Sequence, residues 1–284
     1  MMNRTIPRQA GFSLVSLLIS SAIGVFLIGG AGKIYLDSKN AFTARSAIAA
    51  ATESSRFAMQ DFRRYLVMAG RGIGENEDSP ETYSAADNNL RTFPAMNPDN
   101  SVASSTTGII DQDNNGNSVI AVRYAIGPTP CGQGGTINNT HTIRFYRNNE
   151  GQLMCQSIET IAGTLDTANQ YERPLLSGVV SMQALYGVDT DTGPAEDQIA
   201  NQYLTATEVE NAGLWISVVS IRIGIVISSD TEELPYTYRP ATAEPMGLLG
   251  MDVPTPDNSH AYKATSTTIT FRNLNTISMS RQGI

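Results

Sequence analysis

GFSLVSLLISSAIGVFLIGGAGK, residues 11–33, decides how this chain is read. Phe12 through Gly32 make 21 consecutive residues without a charge. At ~1.5 Å of rise per residue, a helix of that length matches the ~30 Å hydrocarbon core of a bilayer. A secretory signal peptide has a shorter apolar run with an A-x-A-like exit behind it. Here the break lies before the run, at the junction of Gly11 and Phe12, so cleavage there leaves the apolar helix on the mature chain. Arg4 and Arg8, the charges of the leader MMNRTIPRQA, hold it in the cytoplasm by the positive-inside rule and send everything after Lys33 across the membrane.

Beyond Lys33 the pattern stays helical. No proline interrupts residues 33–69, and Gly70 is the first glycine after Gly32. Ile34, Phe42, Ile48, Phe57, Phe62, Tyr65, Leu66 and Met68 recur at roughly helical spacing, with Lys39, Arg45, Glu53, Arg56 and Arg63 largely between them. The expectation is an amphipathic half-helix that packs its apolar side on a sheet. GRGIG at residues 70–74 has neither the strand before it nor the spacing of a dinucleotide loop, and reads as a helix C-cap and turn. Residues 75–117 are rich in Asn, Asp, Ser, Thr and Pro without periodicity, which predicts an exposed loop.

Strands follow in SVIAVRYAI from Ser118, HTIRFYRN from His141, QLMCQSI from Gln152 and GVVSMQALYGVD from Gly178. NNEG at residues 148–151 is a hairpin signal that makes the second and third of these antiparallel neighbours. LWISVVSIRIGIVISS from Leu214 is the longest β-rich run. It places Ser220, Arg222, Gly224 and Val226 on one parity, and Val219, Ile221, Ile223, Ile225 and Ile227 on the core parity. TSTTITFRN from Thr265 comes last, after a passage holding Pro235, Pro240, Pro245, Pro254 and Pro256. One long helix on an antiparallel sheet is an α+β fold. The segments are a leader at 1–11, a membrane half-helix at 12–32, an amphipathic half at 33–70, a polar loop at 71–117 and a sheet domain at 118–284.

Composition narrows the chemistry. The formal net charge is −8, and −10 once Arg4 and Arg8 leave with the leader, with no run of clustered Lys and Arg. That argues against a sequence-independent nucleic-acid surface. The only cysteines, Cys131 and Cys155, fall on the extracytoplasmic side, where a pair closes. A disulfide between them would enclose about two dozen residues, worth roughly 3 kcal/mol in the chain-entropy model. A zinc site finds no CxxC pair or His cluster in support. The two histidines, His141 and His260, accompany no HExxH, GxSxG or Walker pattern, so the expectation is no enzyme, with His141 structural.

Gly11, Phe12, Ser13, Leu14, Val15, Leu17, Leu18 and Ile19 resemble the class III signal of type IV pilins and their relatives. What that resemblance implies is cleavage after Gly11 by a prepilin peptidase and methylation of Phe12. It also implies a pilin-like α+β fold. Phe12, Leu14, Leu17, Leu18, Phe26 and Leu27 would then be the assembly helix, contacting other minor pilins, the major pilin and, before assembly, the lipid bilayer and inner-membrane platform. Localisation would be single-pass in the inner membrane with a periplasmic domain, then in the pilus. One departure is Ser16, where the family usually carries Glu to pair with a neighbour's terminal amine. A hydroxyl cannot neutralise that amine. Among pseudopilins the member lacking this Glu is assigned to the filament tip; the alternative for Ser16 is a tolerated substitution in a low-copy subunit.

SSRFAMQDFRRYLVMAGRG at 54–72, LYGVDTD at 185–191 and LTATEVENAGLWISVVSIRI at 204–223 are similar in order and spacing to the minor pilin family PilW. The resemblance implies a low-abundance subunit that helps prime type IV pilus assembly at or near the filament tip. Alternatives are a pseudopilin of type II secretion, which shares the signal and plan, and a tip adhesin whose binding surface is built from the long loop and the Pro-rich loop.

Two loops carry oxygen ligands. Asp111, Asp113 and Asn115 before Gly116 form the first half of an EF-type calcium loop, but its twelfth position is Val122 and a strand follows. Asp189, Asp191, Glu196 and Asp197 bring four carboxylates within nine residues. Calcium and a solvated polar turn are the two readings at each.

Overall fold

The computed structural model describes residues 13–72, 93, 116–133, 140–161, 164–191 and 197–273. The helix α1 runs over Leu14–Leu66, 53 residues. It ends in a short series of turns, and Gly70 and Gly72 both take the left-handed conformation that the glycine-rich C-cap requires (φ 78° and 75°).

The strands are β1 Ile120–Tyr124, β2 Thr140–Arg147, β3 Leu153–Ile161, β4 Thr164–Leu176, β5 Val179–Val188, β6 Gln202–Leu204, β7 Val218–Glu233, β8 Met246–Leu248, β9 Met251–Val253 and β10 His260–Thr270. The helix α2, Ala206–Ala212, sits between β6 and β7. The architecture is the expected α+β, with one difference: the single sheet is two, β1-β2-β3-β4 and β10-β7-β5-β6, both antiparallel, with β8-β9 as a separate hairpin. A seam joins them. Ser118 donates from its amide to the Met182 carbonyl (2.8 Å), and Val179 from its amide to that of Gly151 (2.7 Å).

The NNEG turn forms as the sequence requires. Asn148 Oδ1 accepts the amides of Glu150 (3.0 Å) and Gln152 (2.8 Å), and Gly151 sits at φ 74°. The disulfide Cys131–Cys155 is present and pins the single turn Pro130–Gly132 onto β3.

The long apolar run in β7 packs as its parity dictates. Ile221, Ile223, Ile225 and Ile227 are fully buried in the main core with Phe62, Tyr65 and Leu66 of α1. Phe62 meets Phe145 of β2 edge-on at 5.1 Å, so the helix locks both sheets. The other parity is covered too, since Leu248 and Val253 of the hairpin close over Val226.

The helix face differs from the sequence expectation. Residues that meet the sheets are Ala44, Ala47, Ala51, Ser55, Ala58, Phe62, Tyr65 and Leu66, at helical i, i+3, i+4 spacing. Ile34, Phe42, Ile48 and Phe57, expected on the packed side, point outward, with Phe42 74% and Phe57 60% exposed. Alanines let the helix axis approach the sheet closely, and the large side chains are left on the far side.

Candidate functional site

Residues 14–39 of α1 have no buried member. Leu14, Leu17, Leu18, Phe26 and Leu27, five of the residues assigned to the assembly helix, are all exposed, Phe26 at 81%. Up to Gly32 this stretch carries no charge and is apolar all round, so a lipid or protein environment has to replace water around it. Its hydroxyls are prepared for that environment. Ser20 Oγ donates to the Ser16 carbonyl (2.7 Å) and Ser21 Oγ to that of Leu18 (2.9 Å), which satisfies both within the helix. Gly11 and Phe12 lie outside the described residues.

Above this stretch large apolar side chains stand on the side of α1 turned away from the sheets, among the exposed Arg45, Glu53 and Arg56. Phe42 and Phe57 belong to this set and are exposed while the neighbouring alanines are buried. No hydrophobicity count distinguishes the two sides, because the alanines that pack are less apolar than the phenylalanines that do not. At the domain end, burial raises the Asp61 carboxyl above its ordinary pKa, against the opposing pull of Arg173 and Arg64.

The acidic loop after β5 does converge. Ligand oxygens of Asp189, Asp191 and Asp197 lie within 4.8 Å of one another, with Asp189 buried and the other two exposed. Oxygen sets of this kind suit a hard cation. The same oxygens hold the loop: Asp189 accepts the amides of Asp191 (3.0 Å) and Gln198 (2.9 Å), and Asp197 accepts that of Ile199 (2.9 Å). These are the bonds of a polar Asx-type turn. Asp111, Asp113 and Asn115 lie outside the described residues.

Residues 140–273, from β2 through the end of β10, match the family model described as type IV pilus-assembly protein W, PilW. From β2 onward the sheet domain is similar to the PilW family. No curated protein matches the chain. Among solved structures, a type IV-like pilin from Thermus thermophilus is similar, at 10% identity and a TM-score of 0.34, over 57% of this chain and 82% of that one. A PilW-like domain behind a long apolar helix supports a type IV pilus-related pilin, and with it a structural role, membrane anchoring and contact with other pilus components.

Proposed function

We propose that this PilW-like chain is a minor pilin that primes and assembles type IV pili, at or near the filament tip. The observation that carries the reading is the uncovered helix: the core of the sheet domain is closed, yet residues 14–39 and the outward Phe42 and Phe57 have no cover from their own chain. A bilayer covers the lower part before assembly, and the helices of neighbouring pilins cover all of it afterwards. In this reading a prepilin peptidase cuts after Gly11, Phe12 becomes the methylated terminus, and the domain stands in the periplasm until it is drawn into the pilus. Ser16 supports a terminal position, because without a carboxylate the helix cannot neutralise the amine of another subunit in the membrane.

The test is the mass of the N-terminal peptide from native membranes, with and without active prepilin peptidase. Methylated Phe12 that vanishes without the peptidase is the expected result, and a cut beyond the apolar run would sink the reading. Phe57→Ser tests the outward face separately. It should leave the domain folded and reduce pilus assembly, since its ring contributes to no buried core.

A further inference from the structure

We infer that the groove between the last turn of α1 and the outer edge of β10 docks an extended acidic polypeptide segment, which adds to β10 as a further strand. The groove is a cavity of about 440 Å³, within the ~300–1,000 Å³ range of ligand pockets. Arg63, Arg71 and Arg272 line it, Val67 and Met68 form its apolar floor, and no carboxylate is among its lining residues. The two walls are tied together: Arg63 Nη2 reaches Thr267 Oγ1 at 3.5 Å, and Asn273 Nδ2 donates to the Val67 carbonyl at 2.9 Å.

The strand side of the groove is an open backbone edge. Thr268, Ile269 and Thr270 all line the cavity, and consecutive strand side chains point to opposite faces, so the groove lies along the edge of the strand. Phe271 donates its amide inward to Val219 (2.9 Å). By antiparallel alternation, the amide and carbonyl groups of Thr270 and Thr268 therefore point outward, into the groove. No described strand pairs with that side.

The other edge strands of the two sheets are protected. β4 carries Pro174, which cannot donate to a ladder; β6 is three residues long; and the lead into β1 is bonded to β5 through Ser118. Residues 264–270 of β10, ATSTTIT, have no proline, charge or bulge. A long, neutral, unprotected edge is a template for strand addition, and the three guanidiniums beside it choose the sign of the strand that adds. In a chain of net charge −8 this basic groove is a local exception, complementary to acidic segments of neighbouring subunits. That last step, the neighbour as source, rests on the assembly reading; the groove itself does not.

The experiment uses the full chain in detergent micelles and a fluorescent peptide alternating Glu and Thr, followed by anisotropy. Saturable binding is expected, with no binding of the matched Lys–Thr peptide. Binding should weaken by about tenfold or more in the triple variant R63Q/R71Q/R272Q, whose positions are exposed and whose fold is checked by near-ultraviolet circular dichroism. Backbone N-methylation of the peptide should abolish binding, and the amides of Thr268 and Thr270 should gain hydrogen-exchange protection from the unmethylated form. Equal affinity of the triple variant, or undiminished binding of the N-methylated peptide, would overturn strand addition. N-terminal processing and peptide binding of the unsubstituted chain are measured in parallel. Normal processing with no peptide binding fails the groove alone, and peptide binding with no processing fails the assembly reading alone.

Discussion

Asn273, just past the last strand, donates from Nδ2 to the carbonyl of Val67, just past the long helix, at 2.9 Å. The same amide lies 3.4 Å from the carbonyl of Ala69. Carbonyls at a helix end have no intrahelical partner, so a side chain arriving from a distant part of the sequence completes the helix and fixes β10 against it. Asn273→Ala removes this tie while leaving water free to reach the carbonyls. The expected cost is about 1 kcal/mol, or roughly 2 °C in Tm for a chain of this size, read by thermal unfolding. No change would mean that the packing of Phe271, fully buried two residues earlier, holds the junction alone.

Gly187 in β5 is required for space. A Cβ there would collide with Ser220 Oγ and would lie 2.8 Å from Ala200 Cβ and 3.0 Å from Tyr203 Cε1. Gly187→Ala should therefore destabilise by about 1–3 kcal/mol, measured as a shift in the urea midpoint. Adding Ser220→Ala removes the nearest atom and should recover part of the loss; a double variant no better than the single one would place the clash with β6 and its lead-in instead.

Where sequence and structure agree, a strong local signal and the tertiary demand coincide. β7 is legible because four isoleucines on one parity leave no other face to bury, and the β2–β3 hairpin because Asn148 and Gly151 fit one turn. β4 is not legible. TLDTANQYERPLL has no apolar face, and its extended state is imposed by pairing with β3 through two register shifts. α2 does carry a signal, the capping box of Thr205 and Glu208, but only Ala206 and Val209 are buried to announce the helix. The hairpin β8-β9 turns on Leu249 and Gly250, both at positive φ, and a leucine there advertises no turn. The groove escaped for a different reason: Arg63, Arg71 and Arg272 meet only through the packing of β10 on α1.

The disulfide closes 24 residues of sequence and holds Cys131 at a φ of 54°, a conformation that side chains other than glycine rarely adopt. Both sulfurs are fully buried. Cys131→Ala with Cys155→Ala should lower unfolding stability by roughly 3 kcal/mol, the chain-entropy value for a loop of this length. Denaturant unfolding of the oxidised wild type against the double variant reads it. A loss well under 1 kcal/mol would show that the turn Pro130–Gly132 keeps its place on β3 without the bond.

His141 supplies a pH dependence. It is buried in β2, with Nδ1 3.1 Å from Ser157 Oγ on β3. Burial lowers its pKa below the ordinary value, and the opposing attraction of Glu159 does not restore it. The unfolded chain, titrating near the usual ~6.5, then binds more protons than the fold between the folded value and ~6.5. Its contribution is complete above about pH 6.5 and is lost as the pH falls from there through the folded pKa. Unfolding free energy of the wild type should therefore decline on acidification from about pH 7.5 to about pH 5. His141→Gln keeps a polar group near Ser157 and cannot titrate, so its decline should be shallower. Parallel slopes for the two proteins would show that the imidazole titrates alike in the folded and unfolded states.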